Sequence, residues 1–215
     1  MQPSKRQYFE EEARLAALPG HPRHINPEFP RGARVVSIGC GGGWSGEAGQ
    51  AARFVGVDID EDAREFRLER NPSDEIHIGS GDDLPFKDGE FTFYMARVSI
   101  MYMDVNRAMA EAFRVLAPGG QVWITGHDFD HVWSHWTESV RRVQLKDIVF
   151  RSYVLLNGWA FHLLGSTFRF PLKRSRLESF QTQGGLRRGL ERAGFVDIQF
   201  PVAEQQILLV TAKKP

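Results

Sequence analysis

Cysteine is all but absent from this chain: Cys40 is the only one in 215 residues. An intrachain disulfide and a cysteine-built zinc site are therefore excluded, and a reducing, cytoplasmic setting is expected. A surplus of charge is missing as well. Lys and Arg number 27 and Asp and Glu 27, so the whole-chain field gives no support for a nucleic-acid-coating protein, which carries a strong basic excess. Long apolar runs are also lacking. The longest, near Tyr153 to Gly165, is broken by Asn157, Gly158 and His162, whereas a membrane span needs about 20 consecutive apolar residues. Met1 to Arg14 is polar and charged where an export signal has an apolar core. No internal repeat or low-complexity tract is found.

What is present is ordinary globular material, 42% hydrophobic and 25% charged, of a length that suits one α/β domain. Residues 4 to 18 have helical character and end at Pro19-Gly20. Residues 21 to 32, with three prolines, read as a loop. From Ala33 short β-rich runs alternate with helical ones. Strands are expected at 34 to 38, 53 to 58, 75 to 79, 91 to 96 and 121 to 126. A short helix reaches to about residue 52, and longer ones span Glu61 to Arg70 and Val105 to Leu116. This βαβ rhythm predicts a parallel sheet. A helix at 182 to 193 and strands at 195 to 200 and 206 to 212 close the chain, the last two near enough for an antiparallel hairpin. The expected fold is a Rossmann-like three-layer sandwich with a mostly parallel seven-stranded sheet and an antiparallel terminal strand. Residues 1 to 32 form a cap, and residues 33 to 215 the main domain. Residues 129 to 181 break the rhythm. They hold Trp133, Trp136 and Trp159 and read as a helical aromatic insert after the fifth strand.

The chemistry-bearing residues start with Val35-Val36-Ser37-Ile38-Gly39-Cys40-Gly41-Gly42-Gly43, an apolar strand running into clustered glycines. Glycines let the backbone turn tightly and lie against a ligand without Cβ obstruction. The second strand, Phe54-Val55-Gly56-Val57-Asp58, ends in a carboxylate placed to accept hydrogen bonds from both ribose hydroxyls. A nucleotide-like cofactor is expected there. The loop alone does not say which one, because Gly41 to Gly46 also satisfies the dinucleotide pattern G-x-G-x-x-G.

Further segments decide. They are Asp82-Asp83-Leu84-Pro85-Phe86-Lys87-Asp88-Gly89-Glu90-Phe91, Phe113-Arg114-Val115-Leu116-Ala117-Pro118-Gly119-Gly120, and Ala193-Gly194-Phe195. With the glycine loop and Gly56-Val57-Asp58, these five ordered matches resemble the class I S-adenosylmethionine-dependent methyltransferases. The likeness is greatest to the group that includes the ubiquinone and menaquinone biosynthesis methyltransferases, over roughly residues 33 to 128 and 182 to 212. The resemblance implies S-adenosylmethionine as cofactor and S-adenosylhomocysteine as product. It assigns Gly39, Cys40, Gly41 and Gly43 to the methionine moiety and Asp58 with Ile59 to the ribose side. Ser80, Gly81, Asp82, Asp83 and Leu84 go to the adenine, and Arg97 to the methyl-transfer end. Two residues depart from the pattern: many relatives have an acid at the positions of Ser37 and Ser80. Either Asp82 or Asp83 could meet the adenine amine instead.

Methyl transfer from a sulfonium is a direct displacement, so the protein chiefly aligns the partners and excludes water. For a hydroxyl acceptor a base would help. His127 and Asp128, just beyond the fifth strand, stand where bases lie in open α/β sheets, although the stronger reading of His127 is as a capping or packing residue. His131 and His135 continue at i+4 spacing, which invites a metal reading, but no metal is expected. Arg97 could hold an acidic acceptor or serve structurally, and Met101, Tyr102 and Met103 read as packing. The insert has eight Lys and Arg against four Asp and Glu. It could be a lid over a small-molecule acceptor, a homodimer face or extra core. The N-terminal helix, with Tyr8 and Phe9, could close the cofactor side. Two other functions compete: a non-catalytic methyltransferase-like binding or regulatory protein, suggested by Ser37 and Ser80, and an NAD(P)-dependent oxidoreductase. The latter leaves Leu-Pro-Phe and Pro-Gly-Gly unexplained and lacks a Tyr-x-x-x-Lys dyad.

Overall fold

The computed structural model describes residues 4–18, 25, 27–42, 50–173, 176–202 and 207–215. In chain order the elements are α1 (Lys5–Ala16), β1 (Arg34–Ile38), β2 (Arg53–Asp58), α2 (Glu61–Arg70), β3 (Glu75–Ile78), β4 (Phe91–Arg97) and a 3-10 turn (Ile100–Tyr102). They continue with α3 (Val105–Val115), β5 (Leu116–Gly126), α4 (Phe129–Arg141), α5 (Leu145–Leu164), α6 (Gln183–Ala193), β6 (Val196–Gln199) and β7 (Leu208–Lys213). The short helix expected to reach residue 52 falls on residues 43–49, outside the described residues, as does Gly43.

The seven strands form one sheet in the order β3-β2-β1-β4-β5-β7-β6. All pairs from β3 to β5 are parallel, and β7 runs antiparallel between β5 and β6. Strands β1 to β3 proceed outward in one direction and β4 to β5 in the other. Right-handed crossovers then put α2 and α3 on opposite faces and leave a topological switch point between β1 and β4.

Alternation along the strands divides the core. Val36, Ile38, Val57, Tyr94 and Ile124 point to one face, where α3 supplies Val105, Ala108, Met109 and Ala112 and α6 supplies Leu186 and Leu190. Val35, Phe93, Met95 and Trp123 point to the other, under Ile25 and Phe29. Fully burying each such side chain contributes roughly 1.5–3 kcal/mol, so the central strands are held from both sides.

The expected fold is observed, with one shift. Strand β5 begins at Leu116, not after the Pro118-Gly119-Gly120 turn. Leu116 pairs with Phe91, Gly119 N–H donates to the Lys214 carbonyl at 2.9 Å, and Lys214 N–H to that of Gly120 at 2.8 Å. The glycines bend the strand without ending it. The insert is helical, as its pattern predicted. Helices α4 and α5 enclose Val132, Tyr153, Val154 and Phe180. Buried Asn157 donates to the Glu178 carbonyl at 2.8 Å and accepts from Phe168 N–H at 2.8 Å, which ties the return segment to α5. Among the described residues, no helix is long and apolar enough to cross a membrane.

Candidate cofactor and methyl-transfer site

The site begins where β1 and β2 end, at the switch point. Gly39 and Gly41 have φ of +62° and +53°, the left-handed region in which other residues pay about 1–2 kcal/mol. At Gly39 a Cβ would overlap Ser99, whose hydroxyl donates to the Ile38 carbonyl at 2.7 Å. At Gly41 a Cβ would meet no atom of the described residues within 4 Å. The glycine at 39 thus lets the chain turn beside β4, while that at 41 leaves an open cradle beside the loop. Gly41 N–H donates to Asp58 Oδ2 at 2.7 Å, and Asp60 N–H to Asp58 Oδ1 at 3.0 Å. Among the described residues one acceptor site is used on each oxygen, and a carboxylate offers about four in all. Asp58 is therefore fixed in orientation with capacity left for two more donors. Ile59, next to it, is 74% exposed, an uncovered apolar side chain at the rim.

Cys40 is turned away from this space. Its side chain is buried, and its sulfur would stand 2.8 Å from a Cβ at Gly56, so only its backbone can serve a ligand.

The adenine-side segment packs against β1. A Cβ at Gly81 would overlap Ile38 and come within 2.8 Å of Met103 Sδ. Asp83 N–H closes a turn on the Ser80 carbonyl at 3.0 Å, and the Asp83 side chain is exposed. Asp82 is half-buried, and Asp104 N–H, at the start of α3, approaches its Oδ2 at 3.3 Å.

Two residues to which the sequence reading gave no role fix this segment. Glu111 accepts from Leu84 N–H at 2.7 Å. Arg114 bridges Glu111 and donates to the Leu84 and Phe86 carbonyls at 3.0 and 2.6 Å. The Arg114 guanidinium holds the Glu111 carboxyl below its ordinary range. Their i,i+3 spacing on α3 was visible; their backbone targets, some 30 residues upstream, were not.

Beyond β4 and β5 the other candidates gather. Arg97 is the last residue of β4, paired with Thr125. Val98 follows at φ +50°, unusual for a β-branched residue, with its N–H on the Thr125 carbonyl and hydroxyl at 3.2 and 3.1 Å. Asp128 caps α4, accepting from His131 N–H at 3.0 Å. His127 precedes that cap and so is not on the helix, yet its ring stacks on His131 with centroids 3.8 Å apart; His131 and His135 meet edge to face at 4.7 Å. Burial, then repulsion from His135, lowers the His131 pKa from 6.5, so this imidazole is neutral at pH 7. Among the described residues no group of three or more His, Cys, Asp or Glu could hold a metal ion.

The reading also missed Gln181. It is buried against Gly126 and Met101, its backbone N–H donates to the His127 carbonyl at 2.8 Å, its Nε2 donates to Ser179 Oγ at 2.9 Å, and its Oε1 has no hydrogen-bond partner among the described residues. Of the packing trio, Met101 is buried, Met103 is partly buried against the core, and Tyr102 is half-exposed. Helix α1 closes over the glycine loop through Phe9, which packs on Phe66 and would stand 2.9 Å from a Cβ at Gly42. Tyr8 stays half-exposed. Lys5 pairs with Asp60 and Asp62 at 3.1 and 2.6 Å, tying α1 to the residues after Asp58.

Residues 36–124 match the family described as methyltransferase domain. The chain is 27% identical over 119 residues to a malonyl-[acyl-carrier protein] O-methyltransferase of Erwinia billingiae, covering 54% of this chain and 47% of that one. It is 26% identical over 125 residues to the ubiquinone/menaquinone biosynthesis C-methyltransferase UbiE of Rickettsia felis, covering 57% and 46%. The chain thus spans about half the length of the curated relatives it matches. A solved SAM-dependent methyltransferase of Thermotoga maritima superposes with a TM-score of 0.56 at 19% identity, over 98% of this chain and 91% of that one. Residues 36–124 thus resemble a methyltransferase domain, and the chain has the fold of the solved S-adenosylmethionine-dependent methyltransferase. S-adenosylmethionine is the cofactor for which the superposed structure is named, and the cradle at Gly41 beside Asp58, open among the described residues, fits it.

Proposed function

We propose that the protein transfers a methyl group from S-adenosylmethionine to a small-molecule acceptor by direct displacement. The observation that carries this reading is the pairing of Gly41 with Asp58. A left-handed glycine open on its Cβ side and a carboxylate with spare acceptor capacity stand together at the switch point. Bound S-adenosylmethionine supplies a methyl group on a sulfonium, already activated for displacement.

The backbone of Gly39 to Gly41 would hold the methionine moiety, Asp58 would accept from the ribose hydroxyls, and exposed Ile59 would flank the ribose side. Ser80 to Leu84, clamped by Glu111 and Arg114, would form the adenine wall. Asp82, anchored by Asp104, is the better placed of the two acids for the exocyclic amine, a role open to it because serine stands at position 80. Arg97, His127 and Gln181 surround the acceptor. Gln181 Oε1, buried and unpartnered among the described residues, offers an acceptor for a substrate N–H or O–H. The insert after β5 closes over this end. The two relatives are named for methylation of oxygen and of carbon, so the cofactor half is what they share.

Isothermal titration calorimetry with S-adenosylmethionine and S-adenosylhomocysteine tests the reading. Saturable one-to-one binding is expected; no heat from either at millimolar concentration rejects it. Methyl-labelled cofactor with a panel of small carboxylates and phenolic rings then tests transfer.

A further inference from the structure

Helix α5 is apolar on two opposite sides. Tyr153, Val154, Gly158 and Phe161 turn inward and are buried. On the outer side Leu145, Val149, Leu156 and Leu163 follow one another at intervals of four, seven and seven residues, one line along a helix of 3.6 residues per turn, about 27 Å long. They are exposed by 70%, 50%, 65% and 71%, and Trp159, on the edge of the line, by 45%. No charged residue falls on this line. Helix α4 widens it, since Trp136 Nε1 donates to Ser152 Oγ at 3.0 Å on the same side of α5, and Trp133 stacks on Trp136. A helix that is hydrophobic all round belongs in contact with something apolar, and a strip of this extent exceeds the scattered exposure normal for a soluble surface.

The charge beside the strip names the occupant. The corner between α4 and α5 presents exposed Arg141, Arg142 and Lys146 next to exposed Val140, Val143 and Leu145. Against these three cations stand Glu138, which pairs with Arg142 at 2.7 Å, and exposed Asp147 in the first turn of α5, so the corner keeps a net positive charge. Residues 129 to 181 hold eight basic against four acidic residues in a chain whose total is neutral. We propose that the outer face of α4 and α5 docks flat on an anionic lipid bilayer, with the leucine line and tryptophans in the interface and the corner cations among the headgroups. A second copy of this chain would set the same cationic surplus against itself, whereas anionic headgroups neutralise it. Phe129 touches both Trp133 and Trp159 and stands two residues from His127, so the docked face adjoins the proposed acceptor end. The docking itself does not depend on methyl transfer.

Vesicle flotation of the full chain tests this with phosphatidylcholine alone and with phosphatidylcholine mixed with phosphatidylglycerol. Binding to the mixed vesicles, weakened by salt and absent with phosphatidylcholine, is expected. Two surface cations near the headgroups together account for roughly 30-fold in partition, so Arg141→Ala with Lys146→Ala is expected to weaken binding by about that factor. Leu156→Glu with Leu163→Glu is expected to abolish it while leaving the circular dichroism spectrum unchanged. Failure to float with the mixed vesicles, equal binding to neutral ones, or insensitivity to both double variants overturns the proposal. So does sedimentation as a stable dimer that the leucine variant dissociates, which would assign the face to a second copy.

Discussion

Gly41→Ala separates the two costs that a left-handed glycine can carry. The backbone at φ +53° charges any non-glycine residue about 1–2 kcal/mol. In a chain of this size each kcal/mol moves Tm by about 2–4 °C. A fall of a few degrees is therefore expected from strain alone. Gly119 provides a matched control, with φ +78° and, like Gly41, no atom of the described residues within 4 Å of an added Cβ. Gly119→Ala should lose a similar amount of stability. The two variants part at the ligand. The methyl of Gly41→Ala enters the space assigned to the methionine moiety, and loss of close backbone approach there should weaken S-adenosylmethionine by at least about tenfold, or about 1.4 kcal/mol. Gly119→Ala should bind as the parent does. Differential scanning fluorimetry gives the first quantity and titration calorimetry the second. Equal affinities for the two variants would refute the placement of the cofactor against Gly41.

Asp58→Ala removes the acceptor of the Gly41 and Asp60 N–H groups together with the proposed ribose contacts. Hydrogen bonds to a charged group contribute about 1.5–3 kcal/mol each, so cofactor affinity measured by calorimetry should drop by roughly 100-fold or more. Gln181→Met removes a buried acceptor unpartnered among the described residues, an arrangement that costs about 1–3 kcal/mol, and with it the Nε2 donation to Ser179 Oγ at 2.9 Å, which contributes about 0.5–1.5 kcal/mol. Urea unfolding should show little loss or a gain of stability, while kcat/KM falls and cofactor affinity holds; unchanged kcat/KM would remove Gln181 from the acceptor end. Away from the site, the Arg53 guanidinium holds the Glu75 carboxyl down at about 2. A depressed folded pKa stabilises above the unfolded value of about 4.5, and that stabilisation is lost as pH falls from there toward 2. With both side chains more than a third exposed, screening keeps the effect small. Glu75→Gln should flatten the stability curve in that window, and an unaltered curve would contradict the pairing.

The elements that sequence located to the residue are those whose ends are marked locally. Helix α2 starts after Asp60, whose side chain accepts from Asp62 N–H, and strand β2 ends at Asp58. Strand β5 was placed five residues late because Pro118-Gly119-Gly120 looks like a turn in isolation. The backbone groups that extend the strand are satisfied by Phe91 and Lys214, which no local pattern reveals. The same holds in the site. Glycines and a strand-terminal acid announce themselves by type and spacing, whereas the Glu111–Arg114 clamp and the burial of Gln181 arise only when distant segments meet. The insert was recognised as helical and aromatic, but its helix limits were not legible because α5 is apolar on both sides and so lacks the usual periodic contrast.

The histidines after β5 bear on which acceptors fit. A general base contributes about 10²–10⁴-fold when the acceptor must lose a proton in the transition state. Asp128 is oriented by the first turn of α4 through its Oδ1, and burial lowers the pKa of His131, stacked on His127. The lowered pKa makes His131 a poor carrier for a proton leaving His127, which favours reading the stacked rings as a wall of the acceptor end. Such a wall suits an acceptor that arrives already ionised, a carboxylate or an acidic phenol, for which alignment is sufficient. His127→Gln should then lower kcat by less than about tenfold. The rising limb of the pH–rate profile should follow the acceptor's own pKa and move when the acceptor is exchanged. A loss of about 100-fold or more, with that limb abolished, would make His127 the base and reverse the argument.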